Sequence, residues 1–301
     1  MSGERPDPAD LVPPLDAVPL VLGAGGMLGS AVAAVLEEAC PATVAATRAE
    51  IDVTDRFRIE AEVERLRPTV VINCAAWADV DGCETDPARA FQVNAEGAGN
   101  VALAAAAVGC RILHFSTDQV FDGRTTTSYT EDALPAPLSV HGRSKFEGEQ
   151  RVAAAAPDHL IVRTGWLYGA GHGNFVDAVR TAARSGDVVR VIGDQRGSPT
   201  WVVDLARALA GLLAVSDRGL LHVVNDGACT RHELVRTIVE ATGGRVRLES
   251  VTAVDSGRLA PRPAFSVLAT GRYARLAGRP LRPWREALLD YLVDDDPGVP
   301  A

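Results

Sequence analysis

The sequence predicts an α/β fold: a Rossmann-type doubly wound parallel sheet with a smaller C-terminal substrate-binding lobe. Three observations predict it. Short apolar runs alternate with helical patterns up to about residue 165, at spacings that suit right-handed βαβ crossovers. A glycine-rich turn joins the first apolar run to the first helical pattern. Beyond that point the alternation weakens, and glycine- and proline-rich loops intervene, notably at 194–200 and 260–263.

Val18–Leu22 is an apolar run that stops at a glycine, as a buried parallel strand does. The alanine-rich stretch 30–39 is expected as a helix, 43–47 as a second strand and 57–66 as a helix. Pro68 introduces a third strand over 69–73. The stretch 87–108 is expected as one long helix, 111–115 as a fourth strand, 144–156 as a helix and 160–163 as a strand. In the second half the pattern predicts helices over 175–185 and 203–215, and strands over 188–192, 220–224 and 245–251. The expected organisation is a disordered tail at 1–16 and a dinucleotide-binding domain at 17–165, to which segments around 200–225 return. Residues 166–199 and 226–298 form the substrate-binding lobe.

Composition narrows the function. Of the 301 residues 47% are apolar and 23% charged, ordinary for a globular chain. No run approaches 18 apolar residues, so no membrane partner is expected. A net charge of −9 without a basic run argues against a nucleic-acid partner. The five cysteines form no Cys-x-x-Cys pair, which leaves no basis for a metal site or a disulfide framework. The polar, proline-rich N-terminus lacks the apolar core of a signal peptide, so a cytoplasmic location with reduced thiols is expected.

The turn Gly23-Ala-Gly-Gly-Met-Leu-Gly29 has the spacing of a dinucleotide cradle. Gly23 permits the tight turn. Gly26, with Met27 and Leu28, brings backbone amides to a pyrophosphate at a helix N-terminus, and Gly29 lets helix and strand pack closely. The second strand ends at Arg48, which suits a ribose 2′-phosphate, while Glu50 two places on pulls toward a free 2′-hydroxyl. The expected cofactor is therefore NADPH, with NADH as the alternative, and a merely solvated Arg48 is the competing reading. Asp52 and Val53 are placed at the adenine edge.

Further blocks carry a specific likeness. They are Asn73-Cys-Ala-Ala-Trp-Ala-Asp-Val-Asp81 followed by Glu84, then Val93-Asn-Ala95, Phe115-Ser-Thr-Asp-Gln-Val-Phe-Asp-Gly123 and Gly142-x-Ser-Lys-x-x-Gly-Glu149. Arg163-Thr-Gly-Trp-Leu-Tyr-Gly169, Asp194-Gln-x-Gly-Ser-Pro-Thr200, Arg262-Pro263 and Leu281-x-Pro-Trp-Arg-Glu-Ala287 continue the series. In order and spacing the chain resembles the dTDP-4-dehydrorhamnose reductases and related deoxysugar 4-ketoreductases, of the extended short-chain dehydrogenase/reductase type. The likeness runs from about residue 18 to 292.

The resemblance implies a dTDP-4-keto-6-deoxyhexose as substrate. It implies that Thr117 hydrogen-bonds the keto oxygen and that Lys145 holds the nicotinamide ribose. Ala75, Ala76 and Asn94 belong to the cofactor path. Trp166 faces the hexose, with Val80, Asp81 and Phe121 nearby. Some relatives dimerise, so a homodimer stands open.

One departure falls on the chemistry. The family places a proton-donating tyrosine four residues before the lysine, and here His141 precedes Lys145. An imidazole begins near pKa 6.5, and an adjacent ammonium pushes it lower. Its reach is also shorter than a phenol's by about 2 Å. Gln119 and Ala78 replace the family's usual tyrosine and threonine. Two readings follow. One is a 4-ketoreductase with His141 as the third member of its catalytic set. The other is a non-catalytic dinucleotide-binding subunit, of the kind represented by the regulatory β-subunit of methionine adenosyltransferase.

Overall fold

The computed structural model describes residues 17–193, 195–252 and 257–293. The tail expected at 1–16 and the last residues of the expected lobe, 294–298, lie outside the described residues.

The first half alternates strand and helix: β1 (Pro19–Leu22), α1 (Met27–Ala39), β2 (Val44–Ala46), α2 (Arg56–Leu66) and β3 (Val70–Asn73). Two short helices follow, α3 (Val80–Thr85) and α4 (Pro87–Phe91), then a π-helical turn at Gln92–Glu96, α5 (Gly97–Ala107) and β4 (Arg111–Thr117). A single 3-10 turn, Asp118–Val120, precedes α6 (Val140–Ala155) and β5 (His159–Thr164). The remainder is β6 (Leu167–Tyr168), α7 (Phe175–Ser185), β7 (Val188–Ile192), β8 (Arg196–Gly197), β9 (Thr200–Trp201), α8 (Val202–Leu213) and β10 (Gly219–His222). It ends with β11 (Cys229–Thr230), α9 (Arg231–Thr242), β12 (Arg247–Val251), α10 (Gly271–Ala277) and α11 (Trp284–Val293).

Six strands form one parallel sheet in the order β2-β1-β3-β4-β5-β10. Side chains alternate faces along each strand, so both faces need cover. Val21, Ile72 and Leu113 pack under α1, α8 and α10 through Val32, Leu36, Leu205, Leu209 and Tyr273. Leu20, Leu22, Val71, Ile112 and Ile161 pack under α2, α5 and α6 through Ile59, Val63, Val101 and Val152. The chain reverses direction across the sheet between β1 and β3. In an open α/β sheet the crevice at the strands' carboxyl ends, at such a reversal, is where ligands bind.

A separate core holds the smaller lobe. Tyr168, Val176, Val179, Val189, Val191, Leu234, Ile238, Leu288 and Tyr291 gather α7, α9 and α11 against the parallel pair β7–β12. No helix of the described residues is long and apolar enough to cross a membrane.

Two features differ from the sequence expectation. The long helix expected over 87–108 is broken by the π-helical turn, which holds the fully buried Asn94. Such wide turns insert one residue into a helix and recur at functional sites. The helix α6 starts at Val140, capped by Ser139 Oγ accepting from Gly142 N at 3.1 Å, so His141 lies in its first turn.

Candidate active site

The glycine turn forms a cradle closed to side chains at Gly23 and Gly29. Gly23 has φ +78°, and a Cβ there would lie 2.7 Å from Ala75 N. A Cβ on Gly29 would lie 2.1 Å from the carbonyl oxygen of Gly23. Gly26 is the N-cap of α1 and offers no side-chain cap, so the first-turn amides are left for an anion. These observations fit a dinucleotide pyrophosphate.

From the cradle a crevice runs past Thr47, Arg48, Asp52, Val53, Ala75 and Ala76. Glu50 is folded back: its Oε2 accepts from both the backbone N and the Oγ1 of Thr47, each at 2.8 Å. Arg48 remains at the exposed rim, its Nε 3.0 Å from Asp52 Oδ2. The other carboxylate oxygen of Asp52 accepts from Thr54 N and Oγ1. Arg89 lines the same crevice and lies over the indole of Trp77.

On the other side of the cradle a cavity of about 420 Å³ opens toward the smaller lobe. Met27, Leu28, Gly29, Val80, Thr117, His141, Lys145 and Trp166 line it, and Gly26, Cys74 and Ala76 border both spaces. The two form one continuous cleft at the carboxyl edge of the sheet. Arg231, Arg262, Gln195 and Ser266 line it as well, and so do Ala78 and Gln119.

Lys145 is buried, and its Nζ donates to the carbonyl of Phe115 at 2.6 Å and lies 3.4 Å from His114 Nε2. Burial pulls its pKa down to about 8, with Glu149 acting in the opposite direction. Glu149 itself is clamped: Oε1 accepts from Ser116 Oγ at 2.5 Å and Arg163 Nε at 2.7 Å, and Oε2 from Arg163 Nη2 at 2.6 Å. This buried pair fixes α6, and with it Lys145 and His141, against β4 and β5.

The His141 ring is 6% exposed. Its Nδ1 lies 3.3 Å from the carbonyl oxygen of Trp77, with Cys83 Sγ at 4.0 Å. A carbonyl only accepts, so Nδ1 carries the hydrogen and Nε2 carries the lone pair. Burial lowers the His141 pKa to about 4, and the Lys145 ammonium adds to the effect. The positive end of α6 favours the neutral ring too.

Thr117 Oγ1 accepts from Gln119 N at 3.1 Å and donates to Asp118 Oδ1 at 3.2 Å. Trp166 has φ +48°, rare for a residue with a Cβ. Its indole packs on Gly197, and the Arg231 guanidinium stacks on it 3.5 Å from the ring centroid.

Three residues expected in the site do not themselves line the cleft. Asn94 is fully buried; it accepts from Trp77 N and donates to Trp77 O and Ser144 Oγ, so it shapes the Trp77 loop from behind. Phe121 is fully buried, stacked on Tyr129 with ring centroids 4.0 Å apart, and does not line the cleft. Asp81 does not line it either; its carboxylate holds the cleft residue Arg262 through two bonds of 3.1 Å. Arg231, Arg262 and Ser266 were not singled out as site residues. The sequence signal for Arg231 was the capping box Thr230-x-x-Glu233, formed here in full, which puts Arg231 at the start of α9.

A parallel sheet with a glycine cradle at its switch point, and a buried lysine on the helix beside β4, define a Rossmann-type protein of the short-chain dehydrogenase/reductase class. Within that class the family model described as "RmlD substrate binding domain" matches residues 19–296, and the chain belongs to that family. It is 41% identical over 281 residues to dTDP-4-dehydrorhamnose reductase of Mycobacterium tuberculosis, covering 91% of this chain and 92% of that one. It is 38% identical over 273 residues to dTDP-4-keto-6-deoxy-D-glucose reductase of Streptomyces niveus, covering 89% and 94%. The crystal structure of dTDP-4-dehydrorhamnose reductase from Bacillus anthracis in complex with NADP superposes with a TM-score of 0.88 at 33% identity, covering 92% of this chain and 99% of that one.

Proposed function

We propose that this chain is an NADPH-dependent reductase of the 4-keto group of a dTDP-4-keto-6-deoxyhexose. The observation that carries the reading is the single cleft that joins the glycine cradle to Thr117, His141 and Lys145. The NADP complex of the Bacillus anthracis relative, and the relatives' names, support cofactor and substrate class.

The residues present fit the parts of such a reaction. The cradle amides receive the pyrophosphate and Arg48 the 2′-phosphate, since an arginine pairs a phosphate with charge-assisted bonds. A bound nicotinamide supplies the hydride. Lys145 would hold the nicotinamide ribose, and Thr117 would hydrogen-bond the keto oxygen as charge develops on it. Arg231 and Arg262 give the cleft the positive charge a nucleotide diphosphate needs. Trp166, with the Arg231 guanidinium stacked on its ring, would form the hexose side of the cleft.

The test is consumption of NADPH absorbance by the purified chain with a panel of dTDP-4-keto-6-deoxyhexoses. Turnover that Lys145→Ala removes supports the reading. NADPH binding without turnover on any member overturns it and favours the dinucleotide-binding subunit.

A further inference from the structure

We propose that the proton for the reduced oxygen comes through Thr117 from the carboxyl group of Asp118, and that His141 serves as a hydrogen-bond acceptor. The inference rests on the reductase reading and supplies the proton donor that the missing tyrosine leaves open.

The tautomer of His141 excludes it as the resting donor. Nδ1–H is committed to the Trp77 carbonyl, so the ring offers Nε2 as a lone pair. It donates from that nitrogen only as imidazolium, which its burial beside Lys145 disfavours.

Across the cleft the geometry is different. Asp118 is 4% exposed, in a niche made for its carboxyl group: a Cβ on Gly165 would lie 2.5 Å from Asp118 Cγ. Its two oxygens meet two hydroxyls, Thr117 Oγ1 at 3.2 Å on Oδ1 and Ser266 Oγ on Oδ2. Among the described residues no cation lies within ion-pair distance of it. Arg231, at the start of α9, is the charged group that faces it. Arg262 on the loop before Pro263, and His141 and Lys145 on α6, lie in the same cleft. Burial raises the Asp118 pKa to about 6, against the hydrogen bonds from Ser266 and Thr117 and the charge of Arg231.

With Asp118 ionised, Thr117 turns its hydrogen toward Oδ1. With Asp118 protonated, Oδ1–H donates to Thr117 Oγ1, and the Thr117 hydroxyl is free to donate to the ketone. As hydride adds to the carbonyl carbon, the carbon–oxygen π pair moves to oxygen. That oxygen takes the Thr117 proton, Thr117 takes the Asp118 proton, and Asp118 is left as carboxylate. A proton from water restores it when the product leaves the cleft. Thr117 touches the reacting atoms, and Asp118 is the positioning residue behind it.

Two measurements test this. Carboxyl-labelled aspartate followed by carbon NMR, without substrate, should show a resonance that titrates near pH 6 and disappears in Asp118→Asn. In turnover, kcat should fall as pH rises through about 6. Asp118→Asn should lose that limb and about 100-fold in kcat, with KM changed little, in the range of general acid catalysis. Thr117→Ser should keep the limb and Thr117→Val should lose it, a pair that tests the relay even where Asp118→Asn fails to fold. A carboxyl titrating in the usual aspartate range overturns the relay. So does a limb that survives Asp118→Asn and vanishes in His141→Gln. No turnover on any 4-keto sugar sinks the reductase reading and the relay with it, whereas turnover with Asp118→Asn unimpaired sinks the relay alone.

Discussion

His141 donates from Nδ1 to the main-chain carbonyl of Trp77 across 3.3 Å, and this bond decides which face of the imidazole is left for chemistry. The first prediction concerns its protonation. The folded pKa, about 4, lies below the ordinary 6.5, chiefly through burial. The unfolded chain therefore binds this proton more readily. The stability tied to His141 is complete above pH 6.5 and is lost as pH falls toward 4. Between pH 7 and pH 5 the loss amounts to about 2 kcal/mol. The stability difference between the unmodified chain and His141→Gln should shift by that amount in the variant's favour, measured by denaturant titration at both pH values. Nitrogen NMR should show Nδ1 protonated and Nε2 bare down to pH 5; an imidazolium at pH 6 contradicts the lowered pKa, and a neutral ring protonated at Nε2 contradicts the bond.

Arg48 stands at the exposed rim paired with Asp52, while Glu50 is spent on Thr47. The acidic residue that pulls the sequence reading toward NADH is thereby held by Thr47. Arg48→Ala should weaken NADPH binding by about 10- to 100-fold, the scale of one charge-assisted hydrogen bond. NADH binding should change little. Equilibrium titration of nicotinamide fluorescence separates the two; equal losses for both dinucleotides would remove Arg48 from the 2′-phosphate.

The cradle predicts a contrast between neighbouring glycines. In Gly29→Ala the new methyl meets the Gly23 carbonyl at 2.1 Å, and backbone must move. The expected cost is about 1–3 kcal/mol of stability with loss of NADPH binding. In Gly25→Ala the nearest atom, Thr47 Cγ2, stands at 3.6 Å, an ordinary contact, so stability should stay within about 0.5 kcal/mol. Thermal unfolding of the two variants checks the contrast.

How much was legible in the sequence follows from the range of the forces involved. The sheet was legible because each strand is an apolar run with a turn signal beside it, and Gly23, Gly26 and Gly29 announce a local backbone geometry. Thr117, Lys145 and Trp166 were reached by likeness, and all three line the cleft. Asn94, Phe121 and Asp81 stand behind the cleft wall for one reason. A pattern puts a residue on a segment without saying which way the side chain turns. Asn94 turns inward because the π-helical turn rotates it toward Trp77, and Phe121 because Tyr129 offers it a ring to stack on. Asp81 is drawn to Arg262, a partner 181 residues away. Arg231 escaped notice because its role arises from Trp166 and Phe175, which meet it only in the folded lobe.

The last prediction isolates the sugar end of the cleft from the dinucleotide end. Gly197 lies under the Trp166 indole, and a Cβ there would be 2.3 Å from Trp166 Cε2. Gly197→Ala must therefore displace the indole, and with it the Arg231 guanidinium stacked on the ring. Neither Gly197 nor Trp166 borders the crevice on the adenine side of the cradle. Overpacking of this kind costs about 1–3 kcal/mol, which as lost substrate affinity raises KM for the sugar by about 5- to 160-fold. The NADPH dissociation constant should remain as in the unmodified chain, because the displaced groups belong to the substrate side. Steady-state kinetics with the sugar varied, beside direct NADPH titration, reads both quantities. A parallel loss of NADPH affinity would mean that Trp166 supports the whole cleft rather than its hexose wall.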